Sequence, residues 1–290
     1  MLDLVQLLLG TVALRPYVFI FLGVYLLMAI WQMGWGRAAA FVVLGYIISW
    51  AAELSSITTG FPFGEYLYIP GTAGQELWVA GVPFMDSLSY VFLAYASFTL
   101  ALIALAPGPV RAGGYRLPDD PLFLGGWRPW VFGAVLMVTL DIVIDPAALR
   151  GYRWFLGQIY GYPEGGVYFG VPLANFAGWL LVALILIKVL QALITRVPAA
   201  AWLDKGRRRL PGQALLGPGL YLGILGFNLA MTFSIGEPTL GWVGVFIYLP
   251  FLTWLILVLL PGGEQKGQQQ GQTPGQDRRG PDAAPPQAEQ

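Results

Sequence analysis

Apolar residues dominate this chain in seven long runs, and polar residues gather between them in short stretches rich in Gly, Pro and aromatic side chains. A helix needs about 20 apolar residues to cross roughly 30 Å of hydrocarbon. The runs over 16–34, 38–57, 82–106, 129–149, 171–194, 213–234 and 240–260 are of that length. The pattern predicts an all-α polytopic membrane protein of about seven transmembrane helices with aromatic-rich outer loops. Residues 4–14 are too short to span and precede Arg15-Pro16, so they predict an interfacial helix within an N-terminal segment, 1–15. Several runs begin at or beside a proline (Pro16, Pro83, Pro129, Pro172), where the first turn of a helix loses nothing by lacking an N–H. The helical domain covers 16–260. Past Pro261 the chain turns to Gly, Gln, Pro and charge, which predicts a disordered cytoplasmic tail over 261–290.

Composition agrees. Of 290 residues, 57% are hydrophobic and only 11% charged, against about 25% charged in soluble domains. With no Cys and no His, disulfides, thiol nucleophiles, haem, iron–sulfur and histidine metal sites are excluded. Proton transfer then falls to Asp, Glu, Tyr or backbone groups. Lys+Arg and Asp+Glu balance at 16 each, so no nucleic-acid partner is expected. Met1-Leu2-Asp3 offers no basic start to a cleaved signal peptide.

The basic residues orient the bundle. One face collects Arg37, Arg111, Arg116, Arg128, Arg196, Lys205, Arg207, Arg208, Arg209, Lys266, Arg278 and Arg279, and the other only Arg15, Arg150 and Arg153. The expectation is an integral protein of the cell (inner) membrane, N-terminus outside and C-terminus cytoplasmic. The run at 205–209 reads as an orientation signal or as a contact for anionic membrane lipids.

Acids inside spans are costly and usually face the interior. Here they gather at the outer end: Glu53 about one turn from the end of the second span, Asp86 at the start of the third, Asp141 and Asp145 in the fourth, with Asn175 opening the fifth. Each has a plain alternative as an acceptor for loop amides or helix ends. Asp141 and Asp145, four residues apart, share a helix face. Two carboxylates stacked in apolar surroundings repel and are expected to hold at least one proton between them. A neutral carboxylic acid in such a pocket can protonate an unreactive substrate.

The two outer loops look alike. Thr59-Gly60-Phe61-Pro62-Phe63-Gly64-Glu65-Tyr66-Leu67-Tyr68 leads to Gly81-Val82-Pro83, and Tyr168-Phe169-Gly170-Val171-Pro172-Leu173-Ala174-Asn175-Phe176 passes through the same Gly-Val-Pro. This suggests two related helix–loop–helix units around one site. The loops' many aromatic residues, Trp154 and Trp179 among them, fit either an interfacial belt or a slot for a flat polyene whose walls stabilise a cation.

Three ordered blocks within residues 45–180 resemble the membrane-integral carotenoid 1',2'-hydratase family. They are Glu53-Leu54-Ser55 with the first loop, Gly81-Val82-Pro83, and Asp141-Ile142-Val143-Ile144-Asp145-Pro146 followed by Trp154 and 168–179. Asp86-Ser87-Leu88-Ser89-Tyr90 departs from the family pattern, so the resemblance gives Asp86 no role. The resemblance implies a hydro-lyase that adds water to the terminal C1'=C2' bond of an acyclic (ψ) carotenoid, leaving a tertiary alcohol, with no cofactor and no metal. The substrate would come from the lipid phase, with other carotenoid-pathway enzymes as neighbours. Glu53, Asp141 and Asp145 are the candidate catalytic residues. Asn175, Glu65, Tyr66, Asp86, Trp154, Tyr168 and Trp179 are the candidate supporting residues.

Two other readings remain. Asp141-x-x-x-Asp145 is similar to the aspartate pairs with which membrane prenyltransferases hold magnesium and diphosphate, though few basic residues stand nearby. The same acids would also serve a carotenoid-binding protein without activity. Flavin chemistry lacks its glycine motif, since Gly217–Gly226 has the wrong spacing. A retinal protein would have only Lys188 to use.

Overall fold

The computed structural model describes residues 3–106, 120–197 and 212–259. Arg111, Arg116, the basic run at 205–209 and the tail with Lys266, Arg278 and Arg279 lie outside the described residues.

A short helix α1 (Leu4–Leu14) is followed by the long helices α2 (Pro16–Met33), α3 (Trp35–Thr59) and α4 (Phe84–Leu105). Next come the short α5 (Pro121–Leu124), then α6 (Trp127–Ala148), α7 (Leu173–Arg196), α8 (Leu216–Ser234) and α9 (Pro238–Leu259). Among the described residues, seven spans are long and apolar enough to cross a membrane, α5 and α6 counting as one. Prolines open the elements as the sequence suggests: Pro16 begins α2, while Pro83 and Pro172 stand just before α4 and α7. Leu27, Ile47, Phe246 and Leu257 are exposed on α2, α3 and α9, where an apolar band needs lipid to cover it.

Helix α4 is the centre, with 89% of its apolar stretch buried, against 22% for α2 and 17% for α9. Helices α3, α4, α6 and α7 close a ring, each packed on the next and α7 back on α3. Two units make up this ring, α3–loop–α4 and α6–loop–α7. Both run into and out of the same end of the bundle, where their loops meet.

The likeness of the two loops is structural. Each ends in a two-residue turn, Ala80-Gly81 between the paired Val79 and Val82, and Phe169-Gly170 between the paired Tyr168 and Val171. Both central residues have positive φ in each turn (52° and 84°; 49° and 95°). That combination belongs to type I′ hairpin turns, which is why glycine stands second. Val82 and Val171 are fully buried, and each is followed by the proline before the next helix. The loops then pair with each other, β1 (Leu67–Tyr68) antiparallel to β4 (Tyr160–Gly161), with Tyr68 opposite Tyr160. The turn strands are β2 (Trp78–Val79) and β3 (Val82–Pro83).

Counting from these landmarks aligns the units. Tyr68 lies fifteen residues after Glu53, and Tyr160 fifteen after Asp145. Asp86 and Asn175 each stand three residues after the turn proline, and Tyr90 and Trp179 seven after it. The last pair stack face to face, 4.4 Å between centroids and 9° between planes, one from each unit. The two units thus present matching residues at matching offsets, and they meet at the Tyr68–Tyr160 pair and the Tyr90–Trp179 stack.

Candidate functional site

Under the loops lies a cleft that both units line. The first unit contributes Glu53, Asp86 and Tyr90, with Phe63, Tyr66 and Tyr68 from its loop. The second contributes Asp145, Asn175 and Trp179, with Tyr160 and Tyr162. Among the described residues, none that lines the cleft is basic.

Each acid is held by donors from another element. Ser87 donates to Glu53 at 2.5 Å, and the hydroxyls of Tyr68 and Tyr90 also face that carboxylate. Tyr68 donates to Asp86 Oδ2 at 2.7 Å, and Tyr66 to the Tyr68 oxygen at 3.5 Å. Asp145 receives Tyr160 on Oδ1, and Tyr162 and the Asn175 amide on Oδ2, both at 3.0 Å. The same amide donates to Asp141 at 3.0 Å. One asparagine therefore fixes the geometry of two carboxyls a helical turn apart, because its NH₂ carries two donors.

The alternation of β-strand side chains explains the tyrosines. In Tyr66-Leu67-Tyr68 and Tyr160-Gly161-Tyr162, residues two apart point to one face, and the ladder turns both pairs toward the acids. Tyr66 lies 6.1 Å from Tyr160 and 6.0 Å from Tyr162. Burial first, then the neighbouring carboxylates, push the phenols of Tyr66, Tyr68 and Tyr162 above their ordinary value of 10. They remain neutral O–H groups across the physiological range.

The sequence candidates fare unevenly in position. Glu53, Asp86, Asp145, Asn175, Tyr66 and Trp179 line the cleft, and Asp141 stands behind Asn175. Glu53 sits six residues before the end of α3, deeper than one turn. Besides Asp141, which touches the cleft only through Asn175, three candidates do not reach it. Glu65 is exposed and lies beside Gly60. Trp154 donates to the Ala147 carbonyl and packs on Tyr17 and Phe227. Tyr168 packs on Phe169 and Phe176 beside the turn. The expectation of apolar surroundings for Asp145 is corrected too, since phenols and an amide surround it. Sequence reasoning gave Ser87 and Tyr90 no role in the site, and took Phe63, Tyr68, Tyr160 and Tyr162 only as members of an aromatic belt or polyene slot. The Tyr-x-Tyr repeat in both loops was the available signal for three of them, Tyr68, Tyr160 and Tyr162.

Loop one is seated on α7 by the absence of a side chain. A Cβ on Gly178 would lie 2.6 Å from the Pro62 carbonyl oxygen and from the Phe63 ring. Gly178→Ala should destabilise the fold by about 1–3 kcal/mol through overpacking, read as earlier thermal unfolding of the purified protein in detergent. Unchanged unfolding would mean the loop does not need this seat.

Arg15, expected as an outer-face charge, is instead buried. It donates to both oxygens of Glu76 at 3.1 and 2.9 Å and to the Leu156 carbonyl, and so joins α2 to both loops. Arg150 and Arg153 both pair with Glu237, at 3.2 and 2.5 Å. The arginines on the side where a diphosphate would bind are thus engaged. Among the described residues no group of three or more acids is arranged to hold a metal ion.

The bisanhydrobacterioruberin hydratase of Haloarcula japonica is 28% identical over 145 residues, 50% of this chain and 42% of that relative. The match therefore spans less than half of the relative's length. No solved structure matches. The family described as carotenoid biosynthesis protein matches residues 4–254, and the chain belongs to that family.

Proposed function

We propose that the protein is a carotenoid hydratase acting on the C1'=C2' bond of an acyclic end group. The observation that carries this reading is the meeting of Glu53 and Asp145, from equivalent places in the two units, in one aromatic-walled cleft. The hydratase named among its relatives supports it.

Asp145 gives a proton to the less substituted alkene carbon, and a tertiary cation forms on the other. Its Oδ2 can keep Tyr162 and Asn175 while Oδ1, whose partner Tyr160 can donate or accept, carries the proton. The faces of Phe63, Tyr90 and Trp179, packed together, offer the cation their negative quadrupoles. Water held by Glu53 attacks, its proton passes to Glu53, and a tertiary alcohol results. Positioned acid and base groups with a shielded pocket suffice for this addition.

Expression in cells that accumulate lycopene should yield carotenoids heavier by one water in mass spectra. Purified protein should do the same and be indifferent to EDTA. Binding without conversion would favour a carrier, and loss of activity on chelation the aspartate–magnesium alternative.

The site is further assigned to the outer face of the cell membrane, from the excess of basic residues toward the opposite end. A cysteine introduced by Gln270→Cys, in a chain otherwise free of Cys, should resist an impermeant thiol reagent in intact cells and react after lysis. Labelling in intact cells would reverse the orientation.

A further inference from the structure

Hydration by two carboxyls leaves a proton in the wrong place. Each turnover moves one from Asp145 to the alkene and another from water to Glu53. A second turnover requires Asp145 to be reloaded and Glu53 to be emptied. Among the described residues no basic one lines the cleft, so of its side chains only carboxyls and phenols can carry the proton back.

The internal repeat places such carriers between the two acids. Tyr68 and Tyr160, each fifteen residues after its unit's acid, are direct partners on the β1–β4 ladder, rings 6.4 Å apart. Tyr68 faces Glu53 and donates to Asp86, and Tyr160 donates to Asp145. At the position of Asn175 the first unit has Asp86, and this exchange breaks the symmetry in one respect. An amide cannot hold a transferable proton, and a carboxyl can.

Resting on the hydratase reading, we propose that Tyr68, Asp86 and Tyr160 form a proton-return path that resets the site after each turnover. Glu53 gives its proton to the Tyr68 oxygen as the Tyr68 hydroxyl proton passes to the Asp86 carboxylate. Asp86 hands the proton back to the Tyr68 oxygen as the Tyr68 hydroxyl proton moves on, through water in the cleft, to the Tyr160 oxygen, and the Tyr160 hydroxyl proton passes to Asp145, so that Asp86 ends as the carboxylate it began. Atoms and charge balance without any oxidant or reductant. Asp86 and Tyr68 act through the two acids and are positioning groups, not the source of the chemistry.

The test compares the first turnover with later ones. Purified enzyme, equilibrated in buffer, is mixed with an acyclic carotenoid in detergent and quenched at intervals. In Tyr68→Phe and Asp86→Asn, whose residues line the cleft, steady-state turnover should fall at least tenfold more than the first turnover does. Product then appears as a burst of one equivalent per enzyme, and a small weak acid such as formate should restore the later turnovers. First and later turnovers falling together, or neither changing, would overturn the return path and leave the hydratase reading standing. A parent protein that makes no hydrated product would overturn the hydratase reading instead. Should Tyr68→Phe fail to insert, Tyr66→Phe, which removes the hydroxyl donating to Tyr68, supplies the same comparison with a smaller expected burst.

Discussion

Carotenoid hydration should fall by about 10²–10⁴-fold in Glu53→Gln and, separately, in Asp145→Asn, the range over which positioned acids and bases contribute. Both replacements keep size and most hydrogen bonds. The amide introduced at position 53 could still accept from Ser87, and the one at position 145 from Tyr162, each on its carbonyl oxygen, so the fold should persist. The two losses should not multiply in the double variant, because acid and base act on one transition state and removing either stalls the same reaction. Product formation by purified variants, at matched carotenoid binding, measures this. Loss of less than about tenfold in both would leave the acids as structural acceptors and withdraw the mechanism.

The second large effect concerns stability. Arg15→Ala should destabilise the protein by about 3–5 kcal/mol, since breaking a buried pair leaves a charge without compensation. Arg15 and Glu76 are 2% and 1% exposed, so solvent does little to screen the loss. The Leu156 carbonyl would lose its partner as well, and both loops over the cleft would loosen. Replacing both members with apolar residues, Arg15→Met with Glu76→Leu, should recover much of the loss. Unfolding of the variants in detergent provides the comparison. An Arg15→Ala protein as stable as its parent would show the clamp to be unimportant.

Much of this was legible in the chain. The spans announce themselves because a bilayer demands long apolar runs, and the acids because few other polar groups occupy those runs. Gly-Val-Pro hinted at two units for a physical reason, since a type I′ turn requires glycine and a helix tolerates proline at its start. The alignment of the units was hidden. They differ by three residues between Tyr68–Asp86 and Tyr160–Asn175, so equivalence appears only once the ladder fixes Tyr68 against Tyr160. Arg15 misled because a charge beside a span normally seeks water, and its partner lies 61 residues away in a loop. Asp145 misled for a similar reason, as its phenol neighbours arrive from a strand that hydropathy does not reveal.

The placement of the cleft at the loop end of the bundle bears on the fate of what leaves it. Water dissolves in the aqueous phase and a polyene in oil, and a site at the level where the two phases meet lets each arrive from its own side. A tertiary alcohol made at that depth has its hydroxyl already among the lipid headgroups, with the hydrocarbon behind it in the bilayer. Returning that hydroxyl to the oily interior would forfeit its hydrogen bonds to water. On the hydratase reading and orientation proposed above, the product would depart as an amphiphile with a fixed sidedness, anchored by the end that was hydrated.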